Sequence, residues 1–463
     1  MRPACIGAIL LALVTGILIV PRRVLLPHDQ TLTFVVWGMP FEDALFRDAY
    51  ARGFEAEHPG WRVEYQRYAD VRDKYNAWNV LGRGADVMRL PVTDYHDMIR
   101  KGAIEPLDRF INDPALGLSA DEQSDFLPAI WSQLEVNGSR FALPSDNAQY
   151  GLLYNIALFD AHNAAHPDAP IPYPDEHWTW DDLRRAAQSL TKTDAAGNTA
   201  QYGIAFDLWA WPFMAFLAQA GGELWDSDQS QTLINSDAGV EALTFLADLV
   251  PSDLRMSAGQ PTEAGLKAET LFKAGRLAMM LDGSWRVPNV ELDAPDLDFA
   301  VAPLPHFRRQ AIVSGSVLWA VSSHSRHKQM AWEMVRYLTS REQSLKYWDA
   351  LRVAPPARMS AINSDFFTRT AGITLKDGTV KAPAMPPQRF AARAAWLRYA
   401  LAPDPATGLP RGFVPVAPRQ RDLEDRIMQA MIRTVRGEMT ARAALDDAAN
   451  HVNARQAGYP PDR

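Results

Sequence analysis

Residues 31–90 read TLTFVVWGMPFEDALFRDAYARGFEAEHPGWRVEYQRYADVRDKYNAWNVLGRGADVMRL. Thr31 to Trp37 is a run of β-formers and predicts a strand. The next stretch carries Phe46, Tyr50 and Phe54 at i, i+4 and i+8, the spacing of one helix face, and Pro59-Gly60 stops it. WRVEYQRY alternates with Val63 and Tyr65 on one side, as in a second strand. VRDKYNAWNVLG predicts a helix and ADVMRL a third, short strand. This β-α-β-α-β rhythm gives an α/β lobe with a largely parallel sheet. Ligands of such sheets bind beyond the carboxyl ends of the strands. Trp37 and the segment Arg89 to Asp94 lie at two of those ends.

The pattern continues along the chain. LEVNGSRFAL predicts a hairpin turning at Asn137-Gly138. LPSDNAQYGLLYN has little periodicity and is expected as a crossing segment. WTWDDLRRAAQSL opens a helix with Thr179 as N-cap and Asp182 completing the box. A turn and strand follow in DAAGNTAQYGIAF, then a helix capped by Ser236. A further helix is closed by Gly275 and leads into the strand LAMML. DFAVAPLP and GSVLWAVSS predict strands and KQMAWEMVRYLTS a helix. The tail predicts two helices split at Gly437, with Leu423, Ile427, Met431 and Val435 on one side. Residues 367–413 are Pro-, Ala- and Arg-rich and less regular, and no internal repeat is present.

With 463 residues the chain exceeds one ordinary core and implies at least two lobes. Arg2 precedes seventeen uncharged residues, Ala4 to Val20, the outline of an export signal. No small-x-small cleavage site follows, and Arg22-Arg23 favour the cytoplasmic side. Residues 1–23 are therefore read either as a cleaved signal peptide or as an N-terminal anchor, residues 4–20 tethering the rest outside the inner membrane. Cys5 is the only cysteine, which leaves the body without disulfide or thiol chemistry. Without residues 1–23 there are 44 bases against 55 acids, a net charge of −11. That excludes a nucleic-acid partner, which wants a basic surface.

The chain holds 14 tryptophans, and several fall just past strand ends: Trp37, then Trp209 and Trp211, then Trp285 after Asp282-Gly283-Ser284. His162 and His166 stand at i, i+4 but lack the glutamate of a zinc protease helix, and His324 and His327 open a helix. Neither pair predicts a metal, and no cofactor fingerprint is present. A glycoside hydrolase is the enzyme alternative and would need two acids about 5–10 Å apart across a cleft.

In order, the blocks FVVWG with FEAEHPG, ADVMRL with GAIEPLDRFI, FALPSDNAQYGLLYNIALFD, WTWDDL, FKAGRLAMMLDGSW and SGSVLWAVSSHSRHKQMAWEMVRYLTS resemble the carbohydrate-binding branch of the extracellular solute-binding proteins, receptors of ABC importers of maltose- and trehalose-binding type. The resemblance covers Thr31 to Ala454. It implies an α/β, two-lobe periplasmic binding protein (Venus-flytrap) fold with interlobe crossing strands and a helical C-terminal tail. The first lobe would be residues 30–148 plus 306–365, the second 149–305 plus 366–463. It further implies a monomeric, non-enzymatic receptor outside the cytoplasm, without cofactor, that passes a disaccharide or short oligosaccharide such as an α-glucoside to ABC permease subunits. A receptor for a polyol or an anionic glycerol-phosphate compound is the alternative.

The same resemblance nominates binding residues. Trp285 corresponds to an aromatic platform after the Gly-x-Trp motif, and Trp37 follows the first strand. Of Trp209 and Trp211, one is expected in the cleft and one in the core. Arg89 departs from the family pattern and, with Asp94, flanks the third strand's loop; it binds hydroxyls or signals an anionic ligand. Asp86 is expected to brace that loop. Asp146, Asn147 and Gln149 are hydroxyl binders or turn caps. Gly315 and Ser316 allow the backbone near the ligand. Arg358 matches a P-x-R segment near the cleft of trehalose-type receptors, or else makes a surface salt bridge.

Overall fold

The computed structural model describes residues 30–38, 40–250, 267–364, 373–374, 380–382 and 394–456. The N-terminal leader or anchor, residues 1–23 with the apolar run 4–20, lies outside the described residues, as does the lobe boundary at 365/366. Two sheets organise the rest. In the first, the order is Arg62–Tyr68, Thr31–Trp37, Val87–Pro91, Val317–Val321 and Ala142–Pro144. The first three strands are parallel, while Val317–Val321 runs antiparallel to both its neighbours. Its core is aromatic: Phe34 packs against Phe46 at 6.3 Å and Trp319 at 5.4 Å between ring centroids. Each such pair adds about 0.5–1.5 kcal/mol beyond the area it buries.

The helix expected after the first strand is present in altered form. Pro40–Glu42 is a 3₁₀ turn, Ala44–Ala51 is a π-helix and Arg52–Glu57 is α-helical. Phe46, Tyr50 and Phe54 are all buried, so the apolar face survives the wider winding.

The second sheet has the order Gly412–Phe413, Ile312–Gly315, Ala148–Asn155, Leu277–Gly283, Thr199–Phe206 and Lys192–Thr193, with Phe299–Ala302 also paired to Ala148–Asn155. The stretch expected as an irregular crossing thus contains an eight-residue strand, Ala148–Asn155. It lies inside the sheet and is buried on both faces, so no alternation marks it. Ile312–Gly315, expected in the first lobe, pairs in the second sheet because Ser314 and Gly315 align antiparallel with Gln149 and Ala148. The helices Gln420–Val435 and Ala441–Gln456 pack together and against Asp237–Leu249 of the second lobe. Leu423, Ile427, Met431 and Val435 form the buried side, and Gly437 takes a φ of 72° between the helices.

Two of the chain's three passages between the sheets lie in adjacent places, after Pro144 and after Gly315. These crossings are stitched together. Ser145 N–H donates to Val317 O at 2.8 Å, Val317 N–H to Asp146 Oδ1 at 3.0 Å, and Ser316 Oγ to Asp146 O at 2.7 Å. No helix among the described residues is long and apolar enough to cross a membrane.

Candidate functional site

A cleft of about 690 Å³ lies between the sheets and is lined from both. That volume falls within the usual range for small-molecule sites. From the second sheet come three indoles. Trp209 caps the helix Ala210–Gln219, which carries Trp211 and follows the strand Thr199–Phe206. Trp285 follows the strand Leu277–Gly283 and opens the helix Arg286–Asp293. Trp209 and Trp211 stack at 5.0 Å, and Trp285 stands edge-on to both, at 5.8 and 5.3 Å. Tyr150 backs the pair and donates its hydroxyl to Leu281 O at 2.9 Å.

Glycines make this cluster possible. A Cβ on Gly315 would lie 2.3 Å from Trp211 Cη2, and one on Gly283 would lie 2.1 Å from Trp285 Cη2. The backbone therefore packs directly on both indoles. Trp209 and Trp285 keep a partly exposed surface, while Trp211 is buried yet still lines the cleft. All three were nominated from their positions at strand ends, and the fold brings them together.

The first sheet contributes a polar network. Arg89 is only 3% exposed. Its Nη1 donates to Trp37 O at 2.6 Å and to Glu42 Oε1 at 3.1 Å, and its Nη2 to the Tyr347 hydroxyl at 3.4 Å. Its guanidinium also lies 4.9 Å from the Trp37 ring. Burial opposes the charge of Arg89, but Glu42, Tyr347 and Asp146 together hold its guanidinium above its ordinary value. Trp37 itself lines the cleft, and its Nε1–H meets no acceptor among the described residues. Asp146 lines the cleft too, and burial pushes its carboxyl up to about 6 against the pull of the Val317 N–H and Arg89. Ser316 and Gly315 complete the floor at the second crossing.

Four nominated residues do not line the cleft. Arg358, 3% exposed, donates to Thr339 O at 2.6 Å and Glu122 O at 2.7 Å and lies 3.9 Å over the Phe126 ring. It is a buried brace of the first lobe, neither a cleft residue nor a surface salt bridge. Gln149 is fully buried and donates to Leu397 O at 2.5 Å, because it belongs to the interior strand. Asn147 is buried, with its N–H on Pro355 O at 2.8 Å. Asp94 sits beside the lining residue Thr93 but is itself buried and feels the charge of Arg421. Asp86, expected to brace the loop after the third strand, instead ties the start of that strand to the first strand and to Ser325, accepting from Thr33 N at 2.8 Å and Ser325 Oγ at 2.5 Å.

Other lining residues escaped the sequence reading: Glu42, Asp207, Asp282, Arg286, Asn289, Tyr347, Arg421 and Glu424. Asp207 was within reach, since it directly follows the strand Thr199–Phe206 and is exposed. Asp282 and Arg286 are an i, i+4 pair, Nε to Oδ2 2.6 Å, and Arg286 also meets Glu269. Arg421 and Glu424 come from the tail helix, which only the folded chain brings to the cleft. Every guanidinium lining the cleft has a carboxylate partner: Arg89 has Glu42, Arg286 has Asp282, and Arg421 has Glu424 and Asp425.

Comparison with known proteins gives the same picture. The maltotriose-binding protein of Pyrococcus abyssi is 24% identical over 331 residues, 67% of this chain and 63% of that protein's length. A putative binding protein of Brucella abortus is 22% identical over 416 residues, covering 87% of this chain and 88% of its own. Among solved structures, an ABC substrate-binding protein of Listeria monocytogenes in complex with cycloalternan superposes with a TM-score of 0.74 at 22% identity, covering 93% of this chain and all of its own. The GacH receptor of Streptomyces glaucescens, solved unliganded and with acarbose, gives 0.72 at 23%, with 93% and 99% coverage. These structures share its two-lobe periplasmic binding protein fold. The model of the bacterial extracellular solute-binding proteins matches residues 40–344, so the chain belongs to that family.

Proposed function

We propose that this protein is the extracytoplasmic sugar receptor of an ABC importer, closing its lobes on a neutral disaccharide or short oligosaccharide and passing it intact to the permease. The observation that carries this reading is the cluster of Trp209, Trp211 and Trp285 facing a cleft that also holds Asp207 and Trp37. A sugar ring presents an apolar C–H face and an equator of hydroxyls. Indoles cover the face with few rotors to immobilise, and carboxylates accept from the hydroxyls. The maltotriose-binding relative and the neighbours solved with cycloalternan and acarbose support the same ligand class. The anionic-ligand reading is less favoured, because Arg358 lies off the cleft and Arg89, Arg286 and Arg421 have Glu42, Asp282 and Asp425 beside them.

Hand-off to permease subunits, a monomeric state and an N-terminal segment that is either a cleaved signal peptide or a tether through residues 4–20 are part of the proposal. The lobes are taken to divide along the two sheets, with residues 312–315 in the second. The test is thermal denaturation against neutral saccharides, polyols and glycerol phosphates, with recovery of the sugar afterwards. A ligand at 100 times its Kd adds about 2.7 kcal/mol of stability. A shift with a neutral saccharide returned intact supports the receptor. A cleaved sugar points to the hydrolase, and a shift only with phosphates points to an anion receptor.

A further inference from the structure

The helix Gln420–Val435 is anchored in the second lobe. It packs on Ala210–Gln219, and the Gln420 side chain meets Met214 Sδ at 3.5 Å and Trp225 Nε1 at 3.2 Å. The same helix touches Val92–Asp94, the turn that follows the first-sheet strand Val87–Pro91. The two lobes thus meet here, and Arg421 and Glu424 line the cleft at this contact. Glu424 is buried, with Gln420 Nε2 at 3.3 Å and Arg421 Nη1 at 3.6 Å from its carboxyl oxygens. Asp94 is buried on the opposing turn and is drawn by the charge of Arg421.

We propose that Asp94, Arg421 and Glu424 form a clasp between the lobes whose charge sets how readily the cleft closes. They are positioning residues that act through lobe contact. The proposal rests on the two-lobe fold and the contact itself, not on the identity of the ligand.

The physical basis is that two buried carboxyls, Asp94 and Glu424, face each other across the contact. The charges facing Glu424 are Arg421 and Asp425 on its own helix and Asp94 on the turn. Those facing Asp94 are Arg421, Arg72, Asp97 and Lys101. Arg421 thus faces both buried carboxyls and also reaches Asp425 at 3.5 Å, while Asp94 additionally faces Arg72 and Lys101. Burial pushes the Asp94 carboxyl up and that of Glu424 up to about 8. Burial raises Glu424, and the like charge of Asp94 across the contact raises it further, so the contact is favoured while that carboxyl is protonated. That preference is full below its ordinary value and is lost as pH rises through about 8. Apart lobes would let water solvate the ionised group.

The experiment is small-angle X-ray scattering of the unliganded protein at about pH 6 and about pH 9, with circular dichroism as a control for intact structure. Wild type should show a larger radius of gyration at the higher pH. Glu424→Gln should stay at the smaller value at both. A wild-type radius that does not change with pH, or a Glu424→Gln variant that expands as wild type does, overturns the clasp. If Glu424→Gln fails to fold, Asp94→Asn carries the test: it should expand less than wild type, and an equal expansion overturns the proposal. No sugar is present, so a failed ligand assignment leaves this result intact.

Discussion

Trp285 and Arg358 were both nominated for the cleft by their motifs, and the fold gives them opposite duties. Trp285 is partly exposed on the cleft and held edge-on by two other indoles. Trp285→Ala should weaken sugar binding by more than about tenfold, roughly 1.4 kcal/mol or more, with a modest effect on stability. Fluorescence titration measures it, and an unchanged Kd would remove Trp285 from the site. Arg358 serves two backbone carbonyls inside the first lobe. Arg358→Met should cost about 2–4 kcal/mol by leaving those acceptors unpaired, while the folded fraction binds sugar as before. Urea unfolding with a parallel titration separates the two effects, and lost affinity in folded protein would return Arg358 to the cleft. Gly315 has no room for a side chain, since its Cβ would strike the Trp211 ring. Gly315→Ala should destabilise by about 1–3 kcal/mol, read as a lower melting midpoint. No change would mean that the indole and the crossing do not pack as described.

At the scale of elements, legibility followed burial geometry. Thr31–Trp37, Arg72–Val80 and the capped helix Trp180–Ser189 were readable because one face is apolar or the cap is explicit; Thr179 and Asp182 do form the box. Ala148–Asn155 was not, since a strand buried on both faces carries no alternation. Gln149, a candidate hydroxyl binder or turn cap on the crossing, therefore lies inside that strand and off the cleft. Residues at strand ends were legible as site candidates by sheet topology alone. Arg421 and Glu424 were not, because their approach to Val92–Asp94 depends on how a distant helix packs. The crossings yield a prediction of their own. Burial raises the Asp146 carboxyl from 3.8 to about 6, so its ionisation is disfavoured in the fold. Its contribution is fully favourable below about 4 and is lost as pH rises through about 6. The urea midpoint of wild type should therefore fall relative to Asp146→Asn between those values and stay level above them. A difference independent of pH would mean that Asp146 does not titrate there.

On the scale of the whole molecule, two sheets joined by adjacent, mutually hydrogen-bonded crossings form a hinge, and the cleft is its mouth. Hinge closure would carry the indoles of one lobe toward Trp37 and the Arg89 network of the other. Among the described residues the cleft surface is aromatic, with carboxylates outnumbering guanidiniums, which fits the uncharged, hydroxyl-rich ligand proposed above. The most direct measurement is a calorimetric titration with the neutral saccharide chosen by the melting panel, run beside its phosphorylated counterpart. The neutral sugar should bind with one site per chain and the phosphorylated form at least about tenfold more weakly, because among the described residues each lining guanidinium already has a carboxylate beside it. Tighter binding of the phosphorylated form would contradict the neutral-sugar assignment.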